Sequence, residues 1–180
     1  MKKLVLAYSG GLDTSYCAHM LSHKEGYEVH AVTVNTGGFD KEQLAGIEER
    51  ALELGASTYT AIDAVQSFYD RVVKYLIFGN VLRNNTYPLS VSAERIVQAL
   101  EIVEYARGVG ATHIAHGSTG AGNDQVRFQL AYKALAPRLK VIAPWREWDL
   151  NSRPSLLDFA EKNQIPIAKD KRGEAPFSVD

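Results

Sequence analysis

The chain has a single cysteine, Cys17, in 180 residues. That excludes an internal disulfide, a cysteine-based zinc site and a paired-thiol redox motif, and it fits a reducing cytoplasm. An excess of one charge is missing as well: 20 Lys and Arg stand against 21 Asp and Glu, a net charge of -1. No global field attracts nucleic acid or an anionic membrane, so any anionic ligand must be held locally. Long apolar runs are absent, and nothing approaches the ~18 residues of a membrane span. The opening MKKLVLAYSGG imitates the charged start of a signal peptide, but its apolar run stops at the glycines and reads as a buried strand. Internal repeats and low-complexity linkers are also lacking. What is present is 46% apolar residues at a length that suits one soluble domain around one core.

Three apolar runs, KLVLAY (3–8), YEVHAVTVN (27–35) and STYTAID (57–63), alternate with stretches of helical period, the rhythm of βαβ units. A helix over about 13–22 puts Cys17, Met20 and Leu21 on one face, and DKEQLAGIEERALELG (40–55) predicts another, ended by Gly55 at its C-terminal cap. SAERIVQALEIVEYARGVG (92–110) predicts a long amphipathic helix with Ile96, Leu100 and Val103 at helical spacing and Gly108 and Gly110 closing it. THIAHG (112–117) is a fourth strand, DQVRFQLAYKALA (124–136) a helix stopped by Pro137, and LKVIA (139–143) a fifth strand. Pro154 suits the first turn of a last helix, PSLLDFAEKN (154–163). The expected fold is α/β: a doubly wound five-stranded parallel sheet with right-handed crossovers and helices on both faces. Ligands of such sheets collect at the carboxyl ends of the strands, where two glycine-rich turns lie. The stretch GNVLRNNTYPLSVS (79–92) lacks periodicity and is long for a plain connection, which marks it as a candidate functional loop.

In the first turn, AYSGGLDTS (7–15), Ser9, Gly10 and Gly11 sit between a strand and a helix N-terminus, where unpaired amides and the helix dipole favour an anion. Glycines let those amides approach phosphate oxygens, and Ser9, Thr14 and Ser15 add hydroxyl donors. No Gly-Lys-Ser/Thr follows and no G-x-G-x-x-G is present, so this is neither a Walker A loop nor a dinucleotide fingerprint. On these residues alone, a tight turn with Asp13 as an ordinary cap is an equal reading. The second turn, HGSTGAGND (116–124), carries Gly117, Gly120 and Gly122 before Asn123 and Asp124, which either cap the next helix or serve a ligand. Arg127 lies on the same helical face as Asp124 and is either its ion-pair partner or a ligand clamp. Tyr87, ahead of Pro88, reads as a packed aromatic, Ser92 as a helix N-cap, and His116 as a satisfied or buried histidine without a role.

Taken together, AYSGGLDTS, NTYPLSVS and HGSTGAGNDQVRF closely resemble the argininosuccinate synthase family, and the first of them resembles the pyrophosphate loop of the ATP-pyrophosphatase superfamily. The likeness continues through LAPRLKVIAPWRE and covers essentially the whole chain. It implies an adenine nucleotide alpha hydrolase-like domain over 1–167, with 168–180 beginning a second domain that builds a homotetramer in the full-length family. The implied reaction joins citrulline and aspartate at the expense of ATP, with Mg2+, releasing AMP and pyrophosphate on the way to arginine. Small molecules are thus the implied partners, with no nucleic acid and no membrane, in the cytoplasm.

Carried over position by position, ATP contacts fall on Ala7, Tyr8, Ser9, Gly10, Gly11, Leu12, Asp13, Thr14, Ser15, Val34 and Gly117, with Val34 standing where a smaller residue is usual. Citrulline contacts fall on Tyr87, Ser92, Asn123, Arg127 and Ser178, and aspartate contacts on Thr119, Asn123 and Asp124. Ser9, Asp13 and Asp124 are the residues implied to act in the chemistry, which is positional and electrostatic; no protein metal ligand is carried over. Amidating and thiolating enzymes of the same superfamily are competing readings, but thiolation needs catalytic cysteine pairs where this chain has only Cys17. A nucleotide sensor is another, and it has no use for Thr119, Asn123, Asp124 and Arg127. Family members run well beyond this length, so the chain is expected to be a truncated piece that binds ATP and turns over poorly or not at all.

Overall fold

A computed structural model describes residues 1–118, 122–148 and 161–162. Strands and helices alternate: β1 (Lys3–Ala7), α1 (Leu12–His23), β2 (Glu28–Asn35), α2 (Lys41–Glu53) and β3 (Thr58–Asp63). Then α3 (Val65–Phe68) runs through a π-helical turn (Tyr69–Val73) into α4 (Lys74–Phe78), and a short hairpin follows, β4 (Leu82–Arg83) with β5 (Tyr87–Pro88). The chain continues with α5 (Ser90–Gly108), β6 (His113–His116), α6 (Asp124–Leu135), β7 (Lys140–Ile142) and α7 (Pro144–Glu147). The expected helix from Pro154 and the boundary at 167 and 168 fall on residues outside the described ones, except that 161–162 are helical. Among the described residues no helix is long and apolar enough to cross a membrane.

Five strands pair in parallel in the order β3-β2-β1-β6-β7. Alternation along each strand feeds two cores. Leu4, Leu6, Val29, Ala31 and Ala115 pack beneath α1 and α2 with Cys17, Ala18, Leu21, Ile47 and Ala51. Val5, Val32, Val34 and Ile114 pack on the other face with Ala99, Ile102, Val103 and Ala106 of α5 and Phe128, Ala131 and Tyr132 of α6. The doubly wound sheet is therefore as the periodicity predicts, and each fully buried Leu, Ile or Val contributes roughly 1.5–3 kcal/mol against exposure.

Local signals account for the helix limits. Asp40 and Gln43 form a reciprocal capping box at the start of α2, with Gln43 N to Asp40 Oδ1 at 2.8 Å and Asp40 N to Gln43 Oε1 at 2.9 Å. Gly55 leaves that helix at φ +93, the left-handed conformation expected of a closing glycine. In α5 the buried face is Ala99, Ile102, Val103 and Ala106, whereas Ile96 is 42% exposed. Apolar residues occupy most of the circumference of α5, so spacing alone admits more than one face. The small side chains of Ala99 and Ala106 select the one that lies closest to the sheet. The helical stretch from Val65 to Phe78 has no forerunner in the sequence reading: Ala64 offers no side-chain cap, and the π turn breaks the 3.6-residue period.

The order of strands reverses beside β1, because the chain moves outward to β2 and β3 before returning to lay β6 against the other edge of β1. Ala7 is in register with His116, so the two glycine-rich turns leave the sheet side by side at its carboxyl edge. That is the topological switch point at which open α/β sheets hold their ligands.

Candidate functional site

The first turn is fastened from three sides. Tyr8 is buried, its amide donates to Val32 O at 2.9 Å, and its carbonyl accepts from Thr33 Oγ1 at 2.7 Å, which fixes the exit from β1. Gly10 has φ +72 and a built Cβ there would lie 2.8 Å from Ile47 Cγ1, so both the backbone conformation and the space demand glycine. Arg50 Nη1 donates to the Gly10 carbonyl at 2.6 Å from α2. Within the loop, Thr14 Oγ1 donates to Gly11 O at 3.1 Å and lies 3.2 Å from Ser9 Oγ, while Tyr8 Oη is 3.2 Å from Ser15 Oγ.

α1 then begins at Leu12, with Gly11 at the N-cap making no side-chain cap bond. Asp13 is thus not the cap; it sits in the first turn, where a carboxylate complements the dipole. The amides that open α1 have no intrahelical partner, and Ser9 and Gly11 are exposed beside them. An arrangement of helix-opening amides, hydroxyls and a dipole end is chemically suited to phosphate oxygens.

Gly117 is the second member of this floor. A Cβ on it would lie 2.7 Å from Thr14 Cγ2 and 3.2 Å from Thr14 N, so β6 ends pressed against the first turn of α1. Val34 is buried in the core on β2, which leaves its backbone as what it can offer a ligand. His116 precedes Gly117, is 1% exposed, and has no hydrogen-bond partner on either ring nitrogen among the described residues. Burial, with a smaller contribution from Arg146, lowers its pKa to about 4, and the ring stacks on Phe128 at 5.8 Å.

Beside the glycine loop, the start of α6 gathers a set of charges. Asp124 Oδ1 accepts from Arg127 Nη1 at 2.5 Å, and Asp124 Oδ2 accepts from Arg95 Nε at 3.0 Å. Partial burial pushes the Asp124 carboxyl up, but the hydrogen bonds and charges of Arg95 and Arg127 outweigh it, and its pKa is lowered. Arg127 Nη2 also donates to Ser92 Oγ at 3.0 Å, which draws α5 and α6 together. Ser92 does not cap α5, which starts at Ser90. Its hydroxyl serves Arg127 instead. Asn123 occupies the N-cap position of α6 and is exposed, with no side-chain cap bond. Tyr87 is 46% exposed on β5 rather than packed. Thr119 and Ser178 lie outside the described residues.

The sequence reading missed Arg50, Arg95 and Glu94. Arg50 and Arg95 sit inside helices whose polar residues look like solvated face, and only the pairing of distant elements brings them to the carboxyl edge. The one available signal was three charged or polar residues crowded into Ser92, Glu94 and Arg95 directly after the aperiodic loop.

A family described as the arginosuccinate synthase N-terminal HUP domain matches residues 3–166. A protein named argininosuccinate synthase from Roseobacter denitrificans is 52% identical over 99% of this chain and 44% of its own length. Proteins of the same name from Parvibaculum lavamentivorans and Acidiphilium cryptum are each 49% identical over the whole chain, covering 43% and 44% of their own lengths. The chain thus spans under half the length of these relatives.

Proposed function

The chain belongs to the argininosuccinate synthase family through its N-terminal HUP domain, and from that membership we propose that it forms the nucleotide-binding part of an enzyme that ligates citrulline and aspartate at the expense of ATP. In this reading the ureido oxygen of citrulline attacks the α-phosphate, pyrophosphate leaves, and the aspartate amine displaces AMP to give argininosuccinate. The turn from Ser9 to Ser15, with Ala7 and Gly117 beneath it, holds the departing pyrophosphate on amides and hydroxyls. These donors are preorganised, so they stabilise growing negative charge without reorganising. A magnesium ion carried on the phosphates would find its one carboxylate partner within the loop in Asp13, the loop's only acidic residue.

The observation that carries the proposal is Asp124 at the mouth of the switch point, ionised between Arg95 and Arg127. A nucleotide alone has no use for a carboxylate there, whereas an ammonium group does. The ion pair of Asp124 with Arg127 is a substrate-free arrangement. An incoming carboxylate takes the place of Asp124 on Arg127, and an incoming ammonium takes the place of Arg127 on Asp124. Ser92, Tyr87, Asn123 and Ser178 would then hold citrulline, and Thr119, Asn123 and Asp124 would hold aspartate.

Because the relatives are more than twice as long, turnover is proposed for the longer protein, and this stretch is proposed to bind ATP with little or no turnover of its own. Calorimetry on this chain with a non-hydrolysable ATP analogue tests the reading. Aspartate binding that requires the analogue and disappears in Asp124→Ala is the expected result. Analogue binding without any aspartate response would instead favour a nucleotide sensor.

A further inference from the structure

Four charged side chains of alternating sign stand in one row at the carboxyl edge of the sheet: Glu94, Arg95, Asp124 and Arg127. The first two are neighbours on α5, and adjacent helical residues ordinarily point apart. Here they turn into the same space, with Arg95 Nη1 donating to Glu94 Oε2 at 3.0 Å while Arg95 Nε reaches Asp124 at 3.0 Å. The Arg95 guanidinium is therefore strung between two carboxylates, with its side chain only 12% exposed. Glu94 is held in turn. Its Oε1 accepts from Gln98 Nε2 at 3.2 Å and from the Thr36 hydroxyl, which lies just past the end of β2. The row thus runs from the strand that carries Val34 to the carboxylate at the start of α6.

We propose that Glu94 is a positioning residue of the acceptor site: it anchors Arg95 so that Arg95 holds the Asp124 carboxylate in place, and the Thr36 hydroxyl ties that arrangement to the end of β2. The functional half of this statement rests on the reading of Asp124 as a substrate-facing group; the geometric half does not. A guanidinium with one exposed partner samples many rotamers, whereas one fixed at Nε and Nη1 by two carboxylates keeps its plane. Fixing Arg95 fixes the oxygen of Asp124 that it meets, and leaves the Arg127 pair as the one that exchanges with substrate. The tie through Thr36 places the acceptor carboxylate at a set distance from the nucleotide strand.

The sign of one titration separates anchoring from simple charge. Asp124 is faced by Arg95 from α5 and Arg127 from α6, with Glu94 behind Arg95. If Glu94 were only a nearby anion, Glu94→Ala would remove repulsion and Asp124 would titrate lower than before. If Glu94 anchors Arg95, its loss loosens the guanidinium at Nη1 and Asp124 titrates higher, towards the ordinary carboxylate range. The measurement is the carboxyl carbon shift of Asp124 followed by NMR against pH in the ligand-free chain, with thermal melting as a check of fold.

The expected pattern is an upward move in Glu94→Ala and no upward move in Glu94→Gln, which keeps one acceptor oxygen for Arg95 and turns its amide nitrogen to the Thr36 hydroxyl, which can accept from it. Thr36→Val should give a smaller upward move and supplies the test even if Glu94→Ala fails to fold. A lowered or unchanged midpoint in Glu94→Ala overturns the anchoring, and an unchanged midpoint in Thr36→Val overturns the tie to β2. No substrate enters this experiment. Intact aspartate binding in Asp124→Ala would therefore sink the proposed function and leave the titration result standing.

Discussion

Gly117→Ala is the sharpest small perturbation of the switch point. The position needs no unusual backbone conformation, so its whole cost is contact: an added methyl meets Thr14 Cγ2 at 2.7 Å, Thr14 N at 3.2 Å and Thr14 Cα at 3.3 Å. Two of these three atoms belong to the backbone of α1 and have no rotamer to turn. The end of β6 and the first turn of α1 must move apart by several tenths of an ångström. Overpacking of this kind costs about 1–3 kcal/mol, and for a domain of this size each kcal/mol lowers the melting temperature by roughly 2–4 °C.

The Cγ2 contact can be removed by itself. Thr14→Ser deletes that methyl, at about 0.8 kcal/mol for a buried methyl-sized group, and keeps the hydroxyl that bonds Gly11 O and meets Ser9 Oγ. The double variant should therefore be more stable than the sum of the single changes, with a coupling of at least ~0.5 kcal/mol. Partial rather than full recovery is expected, because the contacts with N and Cα persist. Thermal melting of the four proteins in the cycle measures this. A Gly117→Ala chain as stable as its parent, or strict additivity in the cycle, would refute the argument that β6 and α1 are pressed together at this residue.

Other consequences are equally direct. Arg50→Ala removes the donor to the Gly10 carbonyl; a lost charge-assisted bond at a partly buried position is worth about 1.5 kcal/mol, so ATP affinity by calorimetry should fall roughly tenfold, and unchanged affinity would separate α2 from the loop. His116 is neutral in the fold, with its pKa lowered to about 4 by burial against an ordinary 6.5. The stability it contributes is full above pH 6.5 and is lost as pH falls from there towards 4, on the order of 3 kcal/mol in all. Chemical denaturation at pH 7 and pH 4.5 should show His116→Leu losing less stability than the parent over that interval; equal losses would assign acid sensitivity to other groups.

How much of this was legible beforehand depended on range. The five strands, the glycine at the end of α2 and the placement of both glycine-rich turns at strand ends follow from local patterns, and each is in the structure. Ile96 shows where a local pattern fails: a helix apolar on most sides does not say which side is buried, and only packing against β1 and β2 decides. The stretch from Val65 to Phe78 has Ala64 at its N-cap position and a broken period, and the carboxylate that accepts from Val65 N at 3.1 Å, Asp63, is the last residue of β3. Around the candidate site, the motif residues were visible while their supports were not. Arg50 and Gly10, or Thr36 and Glu94, are distant in sequence and meet only through the order of the strands, so no spacing rule could have joined them.

The register of Ala7 with His116 carries a consequence for synthesis. The glycine loop leaves a ribosome before β2, β3 and the whole of α5, and the strand that presses Gly117 against Thr14 emerges only after them. A nascent chain holding the loop alone has its amides and hydroxyls without the surface that aligns them. Phosphate binding should therefore switch on abruptly as the chain lengthens, when β6 slots in beside β1, and nucleotide present during translation would act on that docking step rather than on the formation of β1 and α1.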